Sequence, residues 1–454
     1  MASTYLTNGL TAGSGTTGTV SLWVKRANLG TSTLYHFFED NVTFCRLRFD
    51  SSDKLHWETY DNNTSNGKFK TNRLFRDTSA YYHIVVRVDT TQSTEADRFK
   101  LYVNGSEETS FSTSNYPTQN RDVKMTAQPY IGTEWQGSGV NYFDGNMTHI
   151  HYTDGQSYAA STFGETDSTS GIWKPKTAPS VTYGSKGFFL KFENSGSMGT
   201  DSSGNGNNFT TIGGTLTQNV DTPSNNYATL TPLYTIEYKS AQFFTNGNTT
   251  TNSNTTQWNT VPCTLEVSSG KWYFEGYGHT NGSHYVHYGI TSSAKMIANA
   301  TQAQSEINAN ANGYAYSYYG NSGNIYYSTT SSGGQDTSYG NSYGSTDYIG
   351  VFADLDNNKI YFAKNGTLQN SGTGYDISAD GKPYILATAV YNGLTNVNFG
   401  SGVFGSTALT GTTYSDANGH GTFKYSPNQG GAANFDSTAK NFYAMNSKNL
   451  KEFG

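Results

Sequence analysis

The stretch that decides the fold is Tyr348-Ile349-Gly350-Val351-Phe352-Ala353-Asp354-Leu355-Asp356-Asn357-Asn358-Lys359-Ile360-Tyr361-Phe362-Ala363-Lys364-Asn365-Gly366. Ile349, Val351, Ala353 and Leu355 alternate with Gly350, Phe352 and Asp354, and a period of two places the first set on one face of a strand. Asp356-Asn357-Asn358-Lys359 then interrupts the run. Asn and Asp bond their own backbone and tolerate left-handed geometry, so a tight turn fits there. Lys359 to Lys364 returns as a second strand, and Asn365-Gly366 closes it with the strongest two-residue turn signal. The stretch predicts a β-hairpin.

The same phrase occurs earlier. His83-Ile84-Val85-Val86-Arg87-Val88-Asp89 is followed by a polar turn and by Arg98-Phe99-Lys100-Leu101-Tyr102-Val103-Asn104-Gly105. Two hairpins of one pattern, far apart in the chain, predict two β-domains of related architecture. A length of 454 residues is too great for one core and suits two. Gly (50), Tyr (35) and Phe (25) are abundant while charged residues make up only 14%, the composition of short strands joined by tight turns rather than of helices.

The net charge of −6, with no basic run, gives no electrostatic footprint for nucleic acid or anionic lipid. No apolar run reaches the ~20 residues of a membrane-spanning helix, and Met1-Ala2-Ser3-Thr4-Tyr5-Leu6 has neither the charged nor the apolar segment of a secretory signal. The expectation is therefore a chain made in a reducing cytoplasm, not inserted in a membrane. Its two cysteines, Cys45 and Cys263, should be buried or half-buried free thiols in different domains.

Lys271-Trp272-Tyr273-Phe274-Glu275, Tyr288-Gly289-Ile290, residues 347–366, Pro383-Tyr384-Ile385 and Asn396-Val397-Asn398-Phe399-Gly400 resemble, in order and spacing, successive strands of a SPRY (B30.2) domain. The segments Val20 to Arg26, Tyr81 to Val86, Leu101 to Gly105 and Phe143-Asp144-Gly145 resemble a laminin-G-like, concanavalin-type domain. The combination is similar to structural proteins of tailed bacteriophages. The expected fold class is all-β, with two concanavalin-like antiparallel β-sandwich (jelly-roll) domains in tandem. The boundaries are 1–195 for the laminin-G-like sandwich, 196–232 for a turn-rich connection, 233–425 for the SPRY-like sandwich and 426–454 for a tail packed on a surface. Phe209, Ile212 and Leu216 mark part of the connection as an edge strand, and Ala294 to Ala311 is the one candidate helix.

No catalytic constellation stands out. A glycosidase needs two carboxylates flanking one bond. Asp354 and Asp356 are close but sit at a turn, and Asp144 and Asp154 read the same way. His149 and His151, two apart on a strand, would share a face and could ligate zinc, yet no third ligand lies near in sequence; His284 and His287 are weaker still. No metal site and no cofactor is assigned. Calcium is compatible with the resemblance, since concanavalin-type domains often hold it at the sandwich rim through Asp, Asn and loop carbonyls, but no residue is singled out.

The functional lead is the Tyr-rich region from Gly313 to Tyr348. Tyr offers rigid amphipathic contact area, and Ser, Gly and Asn offer adaptable hydrogen bonds. Tyr314, Tyr316 and Tyr318 alternate and read as core, as do Tyr326 and Tyr327. Tyr339, Tyr343 and Asp336, the last the one charge in a loop from Ser328 to Thr346, are the expected ligand-binding residues. With the resemblance, this reads as a non-enzymatic virion surface protein. It would be a tail-fibre-like, host-contacting adhesion module, a homo-oligomer with other virion proteins and a host-surface glycan or protein as partners. The alternative is a head-decoration or tail-assembly component making protein–protein contacts, and a glycan depolymerase stands third.

Overall fold

The computed structural model describes residues 3–11, 13–234, 242–280, 282–299, 306–309, 311, 313–378, 383–428 and 441–454. The chain divides into two compact units, Met1–Gln218 and Asn219–Gly454. Both are built almost wholly from antiparallel strands, and each buries one or more hydrophobic clusters of its own.

The first unit is a sandwich of an eight-stranded and a six-stranded sheet. The eight-stranded sheet runs Phe111–Asn115, Thr64–Leu74, Lys54–Asp61, Thr43–Phe49, Ser32–Asp40, Gln128–Ile131, Tyr5–Thr7 and Thr210–Ile212 from edge to edge. The six-stranded sheet centres on Thr17–Arg26, flanked by Gly145–Asp154 and Tyr82–Asp89. Inward residues follow the period of two: Cys45, Leu47 and Phe49 face Val20, Leu22 and Val24 across a core completed by Trp57, Phe69 and Phe99. Asn104 and Gly105 have φ of 50° and 83°, the left-handed pair that a two-residue hairpin turn demands.

The second unit is also a sandwich. Two long strands, Thr250–Val267 and Tyr384–Asn398, pair with each other, and Tyr384–Asn398 runs through both halves of one continuous 13-stranded sheet. Residues 384–390 carry Val286–Ser292, followed outward by Ala315–Tyr319, Asn324–Ser328 and Gln335–Ser338. Residues 396–398 carry Lys271–Tyr277, followed by Ile349–Asp354 and Lys359–Lys364. The hairpin expected over residues 348–366 is thus present, with Ile349 opposite Lys364 and Asn365-Gly366 at positive φ. Its inner face, Ile349, Val351 and Ala353, packs on Tyr318 and Tyr288. Its outer face is buried as well: Phe352 and Tyr361 lie under Tyr227, Phe423 and Phe442.

Several expectations meet the structure differently. Residues 196–232, expected as a turn-rich connection packed in part as an edge strand, divide between the two units. Phe209 enters the first core, Thr210–Ile212 pairs with Tyr5–Thr7 at the sheet edge, and Tyr227, Ala228 and Leu230 are buried in the second unit. The passage between units falls between Gln218 and Asn219. The C-terminal segment is also part of its unit: Tyr443–Ala444 pairs in parallel with Trp272 and Tyr273, and a helix, Ser447–Phe453, follows, capped by Asn446. The helix expected over 294–311 is one of two turns, Ser293–Asn299; residues 306–309 are a turn, and 300–305 lie outside the described residues. Cys45 and Cys263 are buried free thiols, one in each unit.

Candidate functional site: an aromatic face on the second sandwich

On a strand, neighbouring side chains point to opposite faces. In the Ala315–Tyr319 strand, Tyr316 and Tyr318 enter the core, which turns Tyr319 outward. Its hairpin partner places Tyr326 beside Ser317 on that same outer face, while Tyr327 faces the core. Tyr391 and Trp258 are direct cross-strand partners, and Trp258 lies against Ile307 and the small residues Ala315, Ala387 and Ala389. Tyr285 and His287, two apart, complete the group from the strand Val286–Ser292 and the residue before it.

These rings form one contiguous cluster. Trp258 touches four: His287 at 4.8 Å between centroids, Tyr391 at 5.7 Å, Tyr319 at 6.0 Å and Tyr285 at 6.3 Å. His287 stacks on Tyr319 at 4.5 Å, and Tyr326 meets Tyr319 edge-on at 4.7 Å. His287 is 0% exposed and forms the floor; Trp258, Tyr285, Tyr326 and Tyr391 are half-buried, so each ring keeps a part in water. Two carboxylates border the rings. Glu306 Oε1 lies 3.1 Å from His287 Nε2, whose Nδ1 is 3.0 Å from Ser317 Oγ. Asp336 is the cross-strand partner of Tyr326 and accepts a hydrogen bond from Asn324 Nδ2 at 2.9 Å. Burial first, then Asp336 and Glu306, push the Tyr326 phenol up; such a hydroxyl stays a donor at any ordinary pH.

The residues singled out from sequence are only partly here. Asp336 borders the face. Tyr339 and Tyr343 do not: they are 7% and 2% exposed and belong to the core. The expected loop contains an edge strand, Gln335–Ser338, after which the chain folds inward. Tyr343 Oη donates to the carbonyls of Tyr318 at 2.8 Å and Val286 at 3.1 Å, and Tyr339 Oη to Thr373 at 3.2 Å. With hydroxyls satisfied, burying the rings costs little. Gly340 is needed for the inward path, since a Cβ there would meet Tyr318 Oη and Gln369 at 2.8 Å. Tyr326, read as core, is on the outer face. The signal for Tyr319 and Tyr326 was parity: each sits one residue out of step with the inward set.

The other candidates have structural partners. Asp354 pairs with Lys271 at 3.2 Å and caps Asn357, and Asp356 accepts from Gly270 N at 2.7 Å. Asp144 accepts from Asn28 Nδ2, and Asp154 holds the Ser14 and Lys186 amides. His149 sits at a bulge with φ of 48°, where the register shifts, so it and His151 are not regular strand neighbours. His151 stacks on Phe189 at 3.8 Å and bonds Tyr183 Oη at 2.9 Å. His284 pairs with His279 at 2.9 Å. Among the described residues no group of three His, Cys, Asp or Glu side chains converges as a metal site.

Two further carboxyl settings bear on chemistry. In the first unit, Glu58 and Glu134 share Arg46 and Arg48, with Arg46 to Glu58 at 2.6 Å. Burial alone would raise both carboxyls, but the guanidiniums, Arg46 foremost, outweigh it and hold them below the usual range. Through the two arginines the pair braces the hairpin of Glu134–Trp135 and Gly139–Val140 to the sheet. In the second unit, Glu275 is 0% exposed and is raised to about 7 by burial, against hydrogen bonds from Lys424 N, Tyr425 N, Tyr273 Oη and Asn398 Nδ2.

Comparison with curated proteins gives no match. Among solved structures, the chain is similar to the SPRY domain of human HERC1, at 14% identity over 35% of this chain and 92% of that one, with a TM-score of 0.27. It is similar to the PSpry domain of TRIM65, at 11% identity over 38% and 90%, TM-score 0.28. A heptameric SAP-like pentraxin from Limulus polyphemus aligns at 15% identity over 41% and 88%, TM-score 0.29. Residues 2–156, within the first unit, match the Laminin_G_3 family, the concanavalin A-like lectin/glucanases superfamily.

Proposed function

We propose that this chain is a non-catalytic binding protein that holds a glycan on the Trp258 face of its second sandwich. The observation that carries the reading is the cluster of half-exposed rings from Trp258, Tyr285, Tyr326 and Tyr391, bordered by Glu306 and Asp336. Flat, rigid rings offer apolar area to the C–H face of a sugar, and neighbouring hydroxyls and carboxylates offer partners to its hydroxyl groups. The lectin-like family match of the first unit is compatible with carbohydrate or protein binding. The setting we infer is an adhesion module on the surface of a tailed-phage virion, made in the host cytoplasm and acting with other virion proteins. That setting rests on the sequence resemblance, and localising the protein on intact particles by electron microscopy tests it.

The binding reading is tested with Trp258→Ala. A central ring at a recognition surface is worth ~2 kcal/mol or more, about 30-fold in affinity. Titration of the purified protein with glycans, by calorimetry or by NMR of its Tyr and Trp rings, should show that loss while the melting curve keeps its shape. Reducing ends should not accumulate during incubation with polysaccharide. Binding unaffected by Trp258→Ala sinks the assignment.

A further inference from the structure

The charge around the Trp258 face says which glycans it can take, an inference that rests on the binding reading above. From Met296 to Thr346 the only charged residues are Glu306 and Asp336. The segments that supply Trp258, Tyr285 and Tyr391, residues 250–265, 276–292 and 384–398, contain no Lys, Arg, Asp or Glu. Both carboxylates act on the rings, since Asp336 and Glu306 push the Tyr326 phenol up after burial has done so, and Glu306 contributes at Tyr319. Lys295, in the helix Ser293–Asn299 that follows the strand Val286–Ser292, is 0% exposed and donates its ammonium to the Ala309 carbonyl at 2.7 Å, so it is not presented to a ligand. The lysine and arginine groups seen over aromatic rings elsewhere lie on Tyr81, Phe49, Phe44, Phe189 and Tyr348, none of which belongs to this face.

We infer that the face selects sugar units without an anionic group, taking neutral or amino-bearing residues and rejecting uronic, sialylated and sulfated ones. A ligand carboxylate or sulfate lying on these rings would face two like charges and, among the described residues, no cation that contacts them. At a half-exposed site each such pair costs a few-fold in affinity, and two together about tenfold, less at high salt. An ammonium in the same place gains by the same terms and by contact with the ring faces.

The test is a glycan array carrying neutral, amino and acidic glycans, probed with the full chain, with Trp258→Ala and with the double variant Glu306→Gln/Asp336→Asn. Wild type should bind neutral and amino glycans and retain acidic counterparts of the same backbone about tenfold less. The double variant should bring the acidic and neutral signals together, and Trp258→Ala should abolish both. Acidic glycans bound as well as neutral ones in a Trp258-dependent way would overturn the charge inference alone. Binding that survives Trp258→Ala, or no binding to any class, would overturn the site itself.

Discussion

Glu275 shows what a single residue can impose on the second unit. Its carboxyl accepts four hydrogen bonds, two from the amides of Lys424 and Tyr425, and so ties the segment 422–425 to the strand Lys271–Tyr277. No cation is among those four donors, and burial wins: the folded group is raised to about 7 from an ordinary 4.5. Between these values the folded state holds a proton that the unfolded state has released. Stability therefore falls as pH rises through the window from about 4.5 to about 7, and is flat in this group on either side. The full span corresponds to ~3 kcal/mol. Urea unfolding of the second unit at mildly acidic and mildly alkaline pH should show the acidic side more stable. Carbon-13 NMR of the Glu275 carboxyl should place its titration near neutrality. A folded-state midpoint near the ordinary glutamate value would rule the account out. Tyr339 and Tyr343 carry the complementary lesson about reading single residues. Their Gly/Ser/Asn surroundings have the composition of a recognition loop, and nothing local says that the Tyr318, Val286 and Thr373 carbonyls wait to receive their hydroxyls. Partners supplied by distant strands are invisible to composition.

At the scale of elements, alternation was legible because it is local. The Ile349–Asp354 and Lys359–Lys364 strands, their turns, and the inward parity of Tyr316 and Tyr318 all follow from a period of two. What covers a sheet from outside was not legible. Phe352 and Tyr361 are buried beneath Tyr227, Phe423 and Phe442, which arrive from both ends of the unit. The Trp258 face was missed for the same reason, since its rings come from strands spread over residues 258–391 and meet only through sheet order. The C-terminal element gives a direct check. Phe442 and Met445 are 0% exposed, and Ala444 N and Asn449 Nδ2 both bond Asp416 Oδ2, at 2.9 and 2.7 Å. Burying each large side chain contributes ~2–3 kcal/mol, and truncation would also bare Phe352 and Tyr361. The sum is comparable to the whole stability of a domain, about 5–15 kcal/mol. Ending the chain before Phe442 should therefore give a second unit that binds a hydrophobic dye and melts without cooperativity. A cooperative transition at the original temperature would show the segment to be dispensable.

For the whole molecule, the decisive question is where one folding unit ends. Composition points to the turn residues Asp201-Ser202-Ser203-Gly204-Asn205-Gly206. Those turns are tied down instead. Asp201 Oδ1 accepts from Phe189 N at 2.9 Å and Ser203 N at 2.8 Å, and Asn205 and Asn207 both donate to the Gly187 carbonyl. Beyond them Phe209 packs edge-on against Phe188 at 4.6 Å, and Thr210–Ile212 covers the edge strand Tyr5–Thr7. A turn-rich sequence marks a boundary only when its backbone groups find no partners, and here they find several. A protease site placed between Gln218 and Asn219 should release two fragments that each unfold in one cooperative step. A cut between Asn194 and Asn208 should take Phe209 and its strand from the first unit. That costs roughly 3 kcal/mol in lost burial and strand hydrogen bonds, about 10 °C in melting temperature for a unit of this size. Calorimetry of the two cleaved samples separates the cases. Equal melting of the first unit after either cut would mean that the strand Thr210–Ile212 adds nothing to the fold, and a first unit that unfolds after the cut at Gln218 would mean that the two units do not fold independently.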